Sequence, residues 1–144
     1  MSYTLHAHDE TYDPSAGHLS LDFVNTLSWR LRSEPVEFLA GYSELVIWGK
    51  IMGLYSEEEA DFFLEQAQTH QEEAYAIYTR AIALRETLYR MLSTSSSACQ
   101  PNLADIATLN EELLEAMPHR TIQWTGQGFQ WGWENVNDQS EGLL

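Results

Sequence analysis

Gly17-His18-Leu19-Ser20-Leu21-Asp22-Phe23-Val24-Asn25-Thr26-Leu27, with Trp29 and Arg30 close behind, sets an acid and an amide inside an apolar stretch. At about 100° per residue the run reads as a helix from Leu19 to Arg30. Asp22, Asn25, Thr26 and Trp29 then share one face, at i, i+3, i+4 and i+7. Leu19, Phe23 and Leu27 line the neighbouring face. Leu19, Leu21 and Phe23 also alternate, so a strand start is the alternative for the opening residues. A buried carboxylate is costly unless it is paired, so Asp22 requires a partner.

A long periodic segment, Glu72 to Leu92, supplies the candidate. Ala74, Tyr75, Tyr78, Ala81, Ile82, Tyr89 and Leu92 form one stripe, with Arg85 at its centre. Glu72, Glu73, Arg80 and Arg90 fall opposite, as on an amphipathic helix. A guanidinium in a core stripe needs acceptors, and Asp22 and Asn25 are the expected ones. Two readings compete. In one, an Asp22–Arg85 ion pair fixes how the first helix docks on the long one. In the other, Asp22, Asn25, Thr26, Arg30 and Arg85 orient a small-molecule effector on which Trp29 stacks, since binding sites are mostly apolar with a few convergent polar groups.

The rest of the chain is helical first and extended last. Tyr3 to His8 alternates and is expected as an edge strand, and residues 1–16 as a turn-rich N-terminal segment. Ser33-Glu34-Pro35 breaks the first helix. Tyr42 to Met52 is a second helix stopped by Gly53. Ser56 and Glu59 form a capping box that opens a third, to about Gln68. Ser93 to Ser97 is a loop, and Asn102 caps a fifth helix that ends at Met117-Pro118. The period then falls to two. Ile122 and Trp124 alternate before Gly126-Gln127-Gly128, and Phe129, Trp131 and Trp133 after it, which is a β-hairpin with an aromatic face. Such a hairpin is marginal alone, so that face is expected to pack on the helices. The fold class is thus mainly α with a small β-hairpin, four to five helices around one long helix.

Composition narrows the function. The chain has 144 residues and a net charge of −15, from 22 acids and 7 bases. That argues against direct contact with a nucleic-acid backbone. One cysteine, Cys99, permits no disulfide framework and no Cys-x-x-Cys zinc site. It sits in the serine-rich loop and reads as incidental. No signal peptide or membrane-length apolar run is present, so a cytoplasmic protein without membrane contact is expected. His6 and His8, with His18 nearby, have metal-capable side chains, but no metal and no cofactor is expected. His18 stands four residues before Asp22, which leaves an acid–base enzyme as the unfavoured alternative. No nucleophile or oxyanion loop accompanies them, so no catalytic residue is assigned.

Several of these blocks carry a resemblance. Leu21-Asp22-Phe23-Val24-Asn25-Thr26 resembles the opening signature of the ABATE domain, the N-terminal half of a family of stress-induced transcription regulators. Tyr42, Leu45 and Trp48, then Gly53-Leu54 and Ser56, are similar to its second block. Ala81, Leu84-Arg85-Glu86 and Leu88-Tyr89 resemble its long helix. Leu109-Asn110 and Phe129-Gln130-Trp131-Gly132-Trp133 resemble its last two blocks. The likeness spans residues 17–135, with 136–144 as a polar tail. The resemblance implies a sensory, non-enzymatic half of a regulator, bound to a small effector and able to form a homodimer. In the family, DNA is contacted by a cysteine-rich zinc finger that follows. The alternative is an acidic interaction or dimerisation module with no small-molecule pocket. The closing Leu143-Leu144 suggests that the natural chain continues.

Overall fold

A computed structural model describes residues 3–96 and 100–134. Cys99 and the tail 136–144 lie outside the described residues. The fold is mainly α, with five helices and three antiparallel strand pairs among the described residues. The chain divides into two compact units, residues 1–89 and 90–144, and the division falls inside the long helix.

In the first unit, β1 (His6–Ala7) and β2 (Glu10–Thr11) pair as a short hairpin, and Tyr12 N–H closes it on Leu5 O. His8 lies in the turn at φ 54°. The expected strand through His8 therefore stops at Ala7, so the two histidines do not share a strand face. α1 (Leu19–Val24) is half the expected helix. Thr26 leaves the helical path, its carbonyl accepting from Phe38 N–H at 2.9 Å instead of from a later helical amide, while its hydroxyl donates to Phe23 O at 2.6 Å. The chain then extends as β3 (Leu27–Ser28), turns, and returns as β4 (Val36–Glu37). Trp29 sits in that turn at φ 55°.

The helices that follow obey their caps. α2 (Tyr42–Ile51) ends at Met52, with Gly53 supplying the left-handed residue at φ 70°. α3 (Glu57–Thr69) opens on the expected capping box, Ser56 Oγ accepting from Glu59 N–H and Glu59 accepting from Ser56 N–H. α4 runs Gln71–Ser96, longer than the periodicity implied. Ser93 and Thr94 are helical rather than looped, and the Thr94 hydroxyl returns to Met91 O at 2.8 Å. The core of this unit gathers Leu5, Tyr12, Phe23, Val36, Phe38, Leu39 and Trp48, with Tyr78, Ala81, Ile82 and Leu84 of α4 packed against it. Inside it, Trp48 Nε1 donates to Tyr12 Oη at 3.1 Å, and Tyr12 Oη donates to Asp22 O at 2.8 Å.

The second unit holds the end of α4, α5 (Leu103–Ala116), a 3₁₀ turn at Met117–His119, and a hairpin of β5 (Arg120–Trp124) and β6 (Phe129–Trp133). Asn102 caps α5 through Ala104 N–H at 2.9 Å. Asp105 is buried and takes a fork from Arg90, the shortest contact being 2.6 Å. The Arg90 hydrogen bond outweighs burial and holds the Asp105 carboxyl below its ordinary value. Arg90, read in the sequence as a plain surface residue, thus ties α4 to α5. The aromatic face of the hairpin corrects a second expectation. Ile122, Trp124, Phe129, Trp131 and Trp133 are exposed rather than packed.

One packing detail makes a prediction. A methyl group at Gly49 would run into the Tyr55 ring, whose hydroxyl donates to Val46 O at 2.7 Å. Gly49→Ala should lower the urea-unfolding free energy by about 1–3 kcal/mol, despite raising local helix propensity. A variant as stable as the parent would mean that the ring moves aside freely.

Candidate functional site

Arg85 is the largest fully buried side chain among the described residues, at 2% exposure. It projects from the middle of α4, and such a cation must find acceptors in the fold. It finds them on β4 and on its own helix. Nη1 and Nη2 grip Glu37 Oε1 and Oε2 in a parallel fork, each at 2.7 Å. Nη1 also reaches Thr26 Oγ1 at 3.2 Å, and Nε reaches Glu86 Oε1 at 3.0 Å. Every nitrogen of the guanidinium therefore has an acceptor. Burial pulls the Arg85 pKa down, but Glu37 and Glu86 push it up by more, so it ends above its ordinary value.

The expected Asp22–Arg85 pair is not the one the fold makes. Asp22 is buried, and its Oδ1 accepts from Ala16 N–H at 3.0 Å. It secures the turn that leads into α1 instead of answering the long helix. The true partner, Glu37, follows the Ser33-Glu34-Pro35 break. It stands between Val36 and Phe38, both buried, in a short apolar run. That run carried the same signal as the Asp22 stretch, an acid among apolar neighbours. Its contact with Arg85 spans 48 positions, and no local pattern reports such a distance. Glu37 Oε1 also accepts from Leu39 N–H at 2.9 Å, a local bond that holds the same carboxylate.

Glu86 joins a second cation to the group. Arg30 Nη1 lies 2.7 Å from Glu86 Oε2, and Arg30 Nη2 donates to Val24 O at 3.1 Å. The Arg30 guanidinium lies over the Tyr89 ring, 4.0 Å from its centroid. Its Nε is buried without an acceptor among the described residues. Burial raises the Glu86 pKa, but the Arg30 hydrogen bond and charge, joined by those of Arg85, bring it below its ordinary value. Two arginines and two glutamates thus balance.

The six residues expected to share a site divide in the fold. Thr26, Arg30 and Arg85 belong to one network. Asp22 sits apart on the Ala16 turn. Asn25 is the exposed C-cap of α1, its backbone N–H bonded to Leu21 O. Trp29 is half-exposed in the β3–β4 turn, with Nε1 on Glu10 at 3.0 Å and Arg32 stacked 3.5 Å from its ring centroid. The shared face dissolves because the helix ends at Val24. His18 is also committed, its Nδ1 capping α1 against Ser20 N–H and Oγ. His6 meets Thr11 Oγ1 at 3.1 Å. Among the described residues no three metal-capable side chains converge, and no helix is long and apolar enough to cross a membrane.

Arg85→Met should cost about 3 kcal/mol, at the low end for a broken buried pair because both glutamates reach water. A double-mutant cycle should couple Arg85→Met strongly to Glu37→Gln and negligibly to Asp22→Asn. Strong coupling to Asp22 would overturn the pairing described. Acid should also unfold the domain through Glu86. Its native pKa is depressed, so the unfolded chain binds the proton first as pH falls. The stability it contributes is present above about pH 4.5 and is lost as pH falls through the lowered value. Urea titrations from pH 7 to pH 3 should show that loss, and Glu86→Gln should flatten it.

The family model for ABATE, described as "Putative stress-induced transcription regulator", matches residues 17–144. No curated protein and no solved structure matches the chain.

Proposed function

The chain belongs to the ABATE family of stress-induced transcription regulators, and from that premise we propose that it is a non-enzymatic interaction module, working in the cytoplasm through contacts with protein. The observation that carries this reading is that every nitrogen of the Arg85 guanidinium is already taken by the fold. A group that recognises a ligand must keep donors or acceptors turned outward. Here a guanidinium at 2% exposure is held by Glu37, Glu86 and Thr26. The network serves as scaffold, tying the β3–β4 strand pair to α4. The net charge of −15 supports the same direction, since it disfavours the phosphate backbone as a partner of this chain.

A sensory role is the second reading, and one place favours it. Trp29 holds a left-handed conformation that bulky residues avoid. Its ring is half-exposed, and the neighbouring Arg30 keeps a buried Nε without an acceptor among the described residues. A small effector that accepts a hydrogen bond would supply that nitrogen's missing partner.

A thermal-shift screen against metabolites and metal ions separates the two. It is run on the parent, on Trp29→Ala and on Asp22→Asn. The module reading expects no compound whose stabilisation disappears in either variant. A metabolite that raises the parent's melting temperature by several degrees, and leaves Trp29→Ala unmoved, would overturn it in favour of the sensor.

A further inference from the structure

We infer that the aromatic face of the β5–β6 hairpin is a self-association surface, and that its occupant is a second copy of this chain. This names the partner within the interaction-module reading and rests on it.

The register places the residues. Arg120 pairs with Trp133, Ile122 with Trp131, and Trp124 with Phe129. Alternation along a strand puts all six on one side of the ribbon. The five apolar members are each between 51% and 79% exposed. The other side is finished by its own residues. Gln123 lies over Gly132 and donates Nε2 to Trp133 O at 2.9 Å. One face is therefore polar and complete, and the other apolar and uncovered. A two-stranded ribbon is marginal in water unless an apolar face of this kind is buried.

Area and charge select the occupant. The five exposed side chains present on the order of 600 Å², scaled from typical aromatic areas. That is at the upper limit for the largest patch on a monomer, and close to the roughly 800 Å² each partner gives a standard interface. A chain of net charge −15 repels its copy. The aromatic face of the hairpin adds nothing to that repulsion. It carries no acid, and its single charge is Arg120, stacked 4.5 Å from the Trp133 ring and 5.6 Å from that of Trp131. Two copies meeting there bring no carboxylates together. Single-stranded nucleic acid also stacks on aromatics, but it needs a basic groove, and one arginine does not make one. A two-fold contact lets the same patch bury itself, edge of one indole against face of another.

The test uses the full chain. Sedimentation across micromolar concentrations should give twice the chain's mass, and Trp131→Lys should halve it with an unchanged far-UV spectrum. A parent that stays monomeric overturns the inference, as does a folded Trp131→Lys chain that still dimerises. Should the variant fail to fold, hydrogen exchange of the unaltered chain decides. Protection gained at residues 120–133 on raising concentration supports the dimer; no gain there overturns it. A monomeric result removes the dimer alone, because the module reading falls only to an effector found in the ligand screen.

Discussion

A guanidinium cannot be left bare in a protein core, and the first unit is organised around that constraint. Arg85 stands in the apolar stripe of α4, where Tyr78, Ala81, Ile82, Leu84 and Leu88 pack against the core. The fold brings a carboxylate to it from β4, a hydroxyl from the residue that ends α1, and a second carboxylate from the next position on α4. Each acceptor has a further duty. Glu37 also holds Leu39 N–H, and Thr26 also closes α1 on Phe23 O. The arginine is thus inserted into geometry that local hydrogen bonds already define. Such pairs give conformational specificity more readily than net stability. This one sets which strand pair lies against which turn of the long helix.

The same constraint explains why α1 is short. Were the helix to continue to Arg30, Thr26 would be one more helical residue, and the chain would have no turn from which to return as β4. Glu37 would then not reach α4. Ending at Val24 lets Thr26 O accept from Phe38 N–H at 2.9 Å. The extended β3–β4 pair follows, and Arg30 swings back over Tyr89 to meet Glu86. Hydrophobic periodicity alone favours the longer helix. The ion network, formed across dozens of residues, favours the shorter one.

The two units differ in how completely they bury themselves. The first has an apolar cluster, a hydrogen-bonded Trp48–Tyr12 pair inside it, and a neutralised polar network beside it. The second has one buried carboxylate, held by Arg90, and a hairpin whose largest side chains face outward.

Much of this was legible in the chain. The capping box at Ser56-Glu59, the Gly53 stop, the Asn102 cap and the change of period before Gly126 are local codes, written within a few residues and read with no knowledge of the fold. The need of Arg85 for a buried anion was equally plain, because burial cost belongs to the residue type. Which anion answers it was not. Asp22 and Glu37 are both acids in apolar runs, and only the path of the backbone separates them. One ends on the Ala16 turn and the other faces α4. The exposure of the hairpin's aromatic face was likewise decided in three dimensions. Alternation shows that a face is apolar, while what covers it depends on surfaces that only tertiary structure brings near.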